Sequence, residues 1–450
     1  MVSHPHERIA SSQAQEDRLD RRQVLPVFVI VLVDLLGLTI IIPLLPLYAA
    51  SFGASALTIG TLEAAYPFLQ LFGAPFLGRL SDRMGRKPVL LVSQLGTLVG
   101  FILLGFAGQL WILFLSRIID GVSGANISTA QAVISDVTTE RTRTQGLGLI
   151  GAAFGLGFII GPVIAFAGLA LSGQDYRVPA LIAATFSAAS ILLTWLWLEE
   201  SHSVESRSQT ASKRAPLSAI ISAIAMPSVA PLFALIFAQQ ISFGGFEQIL
   251  ALFTLNRLGL NASGNAIIFV FVGVIVVGVQ GGLIGPMSRR FGDRRLVVLG
   301  LATLAAGLVL TAFTPHVPVP WYSQSALLQE LSGAASIHAT QQTLNLAVSI
   351  PSQSHGGWTG LVWILAAMVP AAIGGGILQP SLNSLITKRV SPDRVGEMLG
   401  LSSGLLSGAN VAAPLIGGAL FQGINSTAPF LFFGLLMAAL LIAALRLIRS

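Results

Sequence analysis

The 450-residue chain contains no cysteine and little charge, with only 10% of its residues Asp, Glu, Lys or Arg. Without cysteine there is no disulfide, no thiolate metal site and no cysteine nucleophile. A soluble globular chain is about 25% charged, and a chain of this length needs that charge to cover its surface. The shortage excludes a soluble enzyme, a nucleic-acid-binding domain and a fibrous protein. The 47 Gly and 22 Pro do not signal disorder, because 54% of the residues are hydrophobic. The mean hydropathy of +0.80 points the same way. What is present in quantity is apolar sequence, and it leaves a polytopic membrane protein.

The apolar runs reach about 20 residues or more, the length of helix that spans roughly 30 Å of hydrocarbon. Twelve are expected. The first six lie near 24–50, 57–80, 88–107, 110–134, 145–171 and 178–198. The second six lie near 228–256, 263–287, 295–313, 357–386, 395–420 and 427–447. A membrane β-barrel would need strands of about 10 residues with period-two alternation, which no segment shows. Residues 1–23 are polar and lack the short apolar core of a signal peptide, so they are expected to form a soluble tail.

Of the 25 Lys and Arg, 22 fall on one side of this arrangement. Only Arg177 and Arg257 fall on the other, and Arg117 lies inside the fourth segment. Such an excess marks the cytoplasmic side, so both termini are expected inside and the chain in the cell membrane. The net charge of +6 then reports topology rather than affinity for nucleic acid.

The chain also repeats. Gly78-Arg79-Leu80-Ser81-Asp82-Arg83-Met84-Gly85-Arg86-Lys87 returns in degenerate form from Gly285 to Arg295, without an acid in the place of Asp82. Thr139-Glu140-Arg141 and Pro392-Asp393-Arg394 correspond at a larger spacing, which the long outer loop near 314–356 accounts for. The expected organisation is an all-α membrane protein of two six-helix halves, 24–198 and 228–450, joined by a cytoplasmic linker at 199–227. Two parallel repeats suit a rocking transporter.

The Gly78–Lys87 stretch permits a tight helix-to-helix turn, and it places Asp82 beside Arg83 and Arg86. Either it is a basic topogenic loop, or its acid and arginines form a contact made in one conformation and broken in another. In the fifth segment, Gly151, Gly155, Gly157 and Gly161 set small residues on shared faces, and Pro162 loosens the helix. That pattern reads as plain close packing or as a flexing gate. It is not a dinucleotide loop, because the glycine spacing is wrong and no strand precedes it.

Gly78-x-Leu80-x-Asp82-Arg83-x-Gly85-Arg86-Lys87 resembles a signature of the major facilitator superfamily. Gly151 to Pro162, reading GAAFGLGFIIGP, resembles the fifth-helix signature of its drug:proton antiporters, although Ala165-Phe166 stand where a glycine pair is usual. Arg117-Ile118-Ile119-Asp120-Gly121 resembles the fourth-helix signature, and Asp34-Leu35-Leu36-Gly37 with Pro43 and Pro46 resembles the first helix of the tetracycline-efflux and multidrug branch. The resemblance implies an inter-half latch at Gly78, Asp82, Arg83, Gly85 and Arg86, a link between Arg117 and proton movement, and an antiport role for Gly157, Gly161 and Pro162.

Charges inside the membrane are the sharpest lead, since an Asp or Arg at mid-bilayer costs roughly 2.5–3.5 kcal/mol on insertion scales and normally faces a cavity or a partner. Asp34 lies ten residues beyond Val24, about 15 Å along the helix. Burial penalises the charged form of such an acid, which can then load and release a proton; the alternative is a structural hydrogen bond. Arg117 and Asp120 are three apart and form either a local pair or, with Arg117 facing the cavity, a device acting on Asp34. Glu63, Tyr66, Asn126, Gln239, Gln240, Phe243 and Glu247 are further cavity candidates, with Phe68 and Phe246. No metal, cofactor or ATP-binding loop is expected. The reading is a secondary transporter, not an enzyme: a monomer exchanging protons for a small apolar or cationic compound. Uptake of a nutrient by the same fold is the alternative, with a non-transporting sensor further off.

Overall fold

The computed structural model describes residues 21–138, 142–201, 226, 229–334, 349–352, 356–390 and 395–447. Most of the tail and of the linker, and the motifs at 139–141 and 392–394, lie outside them. Among the described residues there are helices and no strand.

The N-terminal part contains α1 (Arg21–Ile41), α2 (Leu45–Ser51), α3 (Ala56–Met84), α4 (Arg86–Gly105), α5 (Leu110–Ser123), α6 (Asn126–Val137), α7 (Arg143–Leu171) and α8 (Arg177–Trp197). The C-terminal part contains α9 (Ala230–Leu258), α10 (Ala262–Gly278), a π-turn (Val279–Leu283), α11 (Ile284–Phe291), α12 (Asp293–Ala312), α13 (Gln324–Ala334), α14 (Thr359–Thr387), α15 (Val395–Gly423) and α16 (Ala428–Leu447). The α1–α2 rod breaks at residues 42–44, beside Pro43 and Pro46, and the α5–α6 rod breaks at Gly124.

Ten helical stretches are long and apolar enough to cross a membrane. They coincide with ten of the twelve expected segments. The other two, α3 and α9, are 29 residues each, but Glu63, Arg79, Asp82 and Arg83 in one, and Gln239, Gln240 and Glu247 in the other, dilute their hydropathy.

Sequence sets the helix ends. Ser55 caps α3 by accepting from the Thr58 N–H at 3.2 Å, and Asn261 caps α10 by accepting from the Gly264 N–H at 3.0 Å. α9 stops at Gly259 in the left-handed conformation. Gly85 turns the chain from α3 into α4 at φ 111° and ψ 160°, a region open to essentially no other residue. A Gly85→Ala variant is therefore expected to lose about 1–3 kcal/mol, read as a lower thermal unfolding midpoint in detergent.

Successive long rods run antiparallel, with α1–α2, α5–α6 and α10–α11 each forming one rod, so Arg21 and Leu447 lie at one end of the bundle. This end also carries Arg79, Arg83, Arg289 and Arg290 and is called the basic end; the other is the distal end. Two seams join the N- and C-terminal parts, α3 with α15 and α7 with α10. Toward the distal end both are closed: a methyl on Gly60 would meet the Pro414 carbonyl oxygen at 2.3 Å, and one on Gly273 would meet that of Phe158 at 2.9 Å. Toward the basic end Gly78, Gly404, Gly148, Gly151, Gly281, Gly282 and Gly285 have nothing within 4 Å of that position.

Candidate functional site

Between the two parts lies a cavity of about 300 Å³. Its polar lining comes from Glu63, Tyr66 and Gln70 of α3, Arg117 of α5, Gln240, Glu247 and Gln248 of α9, and Asn410 of α15. Leu38, Ile41, Phe154 and Phe158 supply apolar wall. α3 and α9, the helices that fall short in hydropathy, thus supply six of the polar groups, and part of what costs them apolarity, Glu63, Gln240 and Glu247, faces the cavity.

Asp34 sits behind this wall. A recess of about 20 Å³, lined by Asp34, Tyr66, Gln70, Thr97, Asp120 and Asn126, shares Leu38, Tyr66 and Gln70 with the main cavity. The Asp34 carboxylate accepts from the Asn126 Nδ2 at 2.8 Å, and Nδ2 also reaches the Thr97 hydroxyl at 3.3 Å. Asp34 thus makes the expected structural hydrogen bond and also borders a polar recess. The second carboxylate oxygen of Asp34 is buried without a hydrogen bond.

Arg117 pairs with Asp120 and also reaches the main cavity. Its Nη1 lies 3.4 Å from the Asp120 carboxylate, with the two side chains 4% and 3% exposed. Its guanidinium carbon is 5.9 Å from the centroid of the Phe101 ring, in cation–π range. The same side chain lines the main cavity, while Asp120 lines the recess. The pair thus stands between the two spaces. So deeply buried, a lone guanidinium would be very costly, and Asp120 offsets that cost.

Gln240 lines the cavity and donates to Asn410 Oδ1 at 2.8 Å, while Gln239 is buried and is not among the lining residues. Phe243, Phe246 and Glu247 border a second, mainly apolar cavity of about 200 Å³ with Phe154, Phe158 and Phe269. Glu247, Phe154 and Phe158 are common to both cavities. Phe68 does not join them; it is 49% exposed and packs edge-on against Phe72 at 5.4 Å. A bulky aromatic beside Pro67 gives no sequence sign of which way it faces.

The fifth-segment glycines fall on α7. Gly157 and Gly161 lie against Thr39 of α1, and a methyl on Gly161 would come within 2.2 Å of the Thr39 hydroxyl. Gly155 faces Val277 of α10. α7 is thus fitted to the Asp34 helix on one side and to the C-terminal part on the other.

At the basic end Arg86 of the Gly78–Lys87 motif is held within the N-terminal part. Arg86 donates to Asp82 at 2.7 Å and to Asp136 at 2.8 Å. Glu200 accepts from the backbone N–H groups of Arg86 and Lys87 at 2.8 and 3.2 Å, capping α4. Arg83 is exposed and Gly78 lies in open space. Arg86→Ala is expected to remove the guanidinium that Asp82 and Asp136 share and to lower the unfolding midpoint, with Asp136→Asn in the same background recovering part of the loss.

The sequence did not point to Asp136, 50 residues from Arg86. Nor did it reveal that Asp293 stands 207 residues after Arg86, the offset between Gly78 and Gly285. Asp293 bonds Ser288, accepts from Ser384 at 2.6 Å, and meets Lys388 at 2.5 Å. The second copy keeps an ionic anchor at the corresponding position with the sign of the charge reversed. Gln70 was legible only as a residue four after Tyr66, whose hydroxyl accepts from it at 2.9 Å.

The profile of the Major Facilitator Superfamily matches residues 27–362. The class C tetracycline resistance protein of Escherichia coli is 30% identical over 401 residues, covering 88% of this chain and 89% of that protein. Multidrug resistance protein 2 of Bacillus subtilis (strain 168) is 27% identical over 418 residues, covering 91% and 92%. Among solved structures, the nucleoside transporter NupG superposes with a TM-score of 0.66 at 13% identity, covering 95% of this chain and 99% of that one. The human organic anion transporter MFSD10 superposes with a TM-score of 0.60 at 22% identity, covering 95% of this chain and 100% of that one. Two seamed helical parts around a polar cavity, ten apolar membrane-length helices and this match lead to one conclusion: the chain is a multi-pass membrane transporter, not an enzyme, and belongs to the Major Facilitator Superfamily.

Proposed function

We propose that this transporter exports small apolar or cationic compounds in exchange for protons, by alternating access of the central cavity. The carrying observation is the wall between cavity and recess. Arg117 lines one space, its partner Asp120 lines the other, and Asp34 sits in the recess with one carboxylate oxygen unbonded. A proton on Asp34 changes the charge that Arg117 and Asp120 balance, so proton loading and cavity occupancy are electrostatically linked. Export, rather than uptake of a nutrient, is supported by the resistance functions in the names of the relatives.

The wider reading follows. α3 and α9 also cross the membrane, which makes twelve spans in two six-helix pseudo-repeats, 24–198 and 228–450. The basic end is cytoplasmic, with both termini, in the cell membrane. The open space beside the basic-end glycines, against the tight contacts of Gly60 and Gly273, supports reading this as an inward-open state. The chain works as a monomer, with the small molecule, protons and the bilayer as its partners.

The test is transport in proteoliposomes of controlled orientation, with tetracycline and tetraphenylphosphonium as probes. An imposed pH gradient is expected to drive accumulation of at least one of them, and a protonophore to abolish it. Transport that ignores the gradient would sink proton coupling.

A further inference from the structure

The described residues between α12 and α14 lie at the distal end. Their first stretch is tied to the C-terminal part: the Val319 N–H donates to the Leu258 carbonyl at 3.0 Å, and the Gly357 N–H to that of Pro318 at 2.8 Å. Asn256 of α9 donates to the Ser349 carbonyl at 2.7 Å, and the Tyr322 hydroxyl to that of Pro351 at 2.6 Å. From this base α13 leans over the N-terminal part and packs on α2, with Leu327 and Leu331 buried.

One side chain of α13 touches both parts. Glu330 Oε1 accepts from the Tyr176 hydroxyl at 3.2 Å, and Oε2 accepts from Asn261 Nδ2 at 2.9 Å. Tyr176 precedes α8 in the N-terminal part, and Asn261 is the cap of α10 in the C-terminal part. Both partners are themselves fixed. Tyr176 is 1% exposed and stacks on Tyr48 at 5.5 Å and 14°, and the Tyr48 hydroxyl donates to the Leu104 and Ala107 carbonyls. Asn261 is held by the Gly264 N–H. Hydrogen bonds to a carboxylate are stronger than neutral ones, and burial makes each costlier to lose. Two neutral bonds span the rim nearby, from Ser263 to Gln174 at 2.9 Å and from the Leu57 N–H to Gln422 at 3.0 Å.

We propose that α13 is a clasp that holds the distal mouth shut, with Glu330 as its positioning residue, bridging Tyr176 and Asn261 across the gap between the two parts. The distal ends cannot separate while Glu330 keeps both bonds, so opening there requires α13 to release one part. A loop that merely decorated the surface would not need a half-buried carboxylate with partners on both sides of the mouth. The clasp rests on the proposed alternating access only for its place in a cycle; its contacts do not depend on what is carried.

The absence of native cysteine makes the test clean. Leu171 and Ile424, 89% and 68% exposed at the distal ends of α7 and α15, are replaced by Cys in the full chain and spin-labelled in lipid nanodiscs. Pulsed-EPR distances report the opening of the mouth. Glu330→Ala is expected to raise the ratio of open to closed populations about tenfold, the scale of one charge-assisted bond lost. Tyr176→Phe, which removes one hydroxyl, should move the ratio the same way by less, and Glu330→Gln should fall between Glu330→Ala and the wild type. If Glu330→Ala fails to fold, Tyr176→Phe carries the test. Distances unchanged in every folded variant overturn the clasp. Distances that respond in a protein whose transport ignores a pH gradient keep the clasp and sink proton coupling; the converse pair of results does the reverse.

Discussion

Asp34→Asn is expected to abolish proton-driven accumulation while leaving the protein folded. Asparagine has the same shape, and its side-chain oxygen can still accept from Asn126, the bond Asp34 makes at 2.8 Å. What it cannot do is take up a proton. One unit of pH gradient supplies about 1.4 kcal/mol per coupled proton, equivalent to a roughly tenfold concentration ratio. Loss of one coupled proton should therefore lower the accumulation ratio by about tenfold per unit of imposed gradient. Exchange of labelled for unlabelled compound, which needs no net proton flux, should persist. The check is paired flux and exchange measurements on one proteoliposome preparation. Full accumulation by Asp34→Asn would remove this residue from the coupling, and loss of exchange as well would make it a substrate contact instead.

The second large effect concerns two glycines of one motif. Gly161→Ala is expected to be strongly destabilising, because the added carbon would lie 2.2 Å from the Thr39 hydroxyl and 2.8 Å from the Thr39 carbonyl carbon. Thr39 cannot easily withdraw: its hydroxyl donates to the Leu35 carbonyl at 2.8 Å. Overpacking of this kind typically costs about 1–3 kcal/mol, and here it would push α7 away from the helix that carries Asp34. Gly151→Ala should do the opposite. Nothing lies within 4 Å of its site, and alanine gains up to about 1 kcal/mol of helix propensity over glycine. Its unfolding midpoint should hold or rise. Its transport should slow nonetheless if the seam beside it closes during the cycle. Unfolding midpoints measured together with initial transport rates separate the two behaviours; equal midpoints for both variants would refute the packing argument.

Legibility in the sequence followed the physics of each signal. Membrane-length helices were plain because hydrocarbon thickness imposes one length on every span, and only α3 and α9 blurred, through polar groups that build the cavity and, in α3, the charges at its basic end. Asp34 and Arg117 stood out because charge within an apolar run is costly and therefore conspicuous. Their neighbourhood was less visible. Asn126 could be named as polar, but not as the donor to an acid 92 residues earlier. Asn410 met Gln240 across 170 residues with no spacing rule to join them. The outer loop near 314–356 was readable only as an insertion, because the role of α13 depends on which rim residues it meets. Phe68 marks the limit for aromatics: composition supplies the ring, and only packing decides whether it turns to cavity or lipid.

The ten residues from Gly78 to Lys87 hold three arginines that a charge count treats as equals. Arg79 and Arg83 are exposed, whereas Arg86 is 7% exposed and neutralised by two carboxylates. The same division recurs later, where Arg289 and Arg290 are exposed while Asp293 and Lys388 neutralise each other. Positive charge offered to water and lipid headgroups thus comes from one set of side chains, and the rivets of the helical corners from another. With the basic end cytoplasmic, as proposed, insertion signal and architecture sit in the same short stretch on separate side chains: lysine in place of Arg83 would keep the positive charge, while in place of Arg86 it would lose the fork that holds two acids at once.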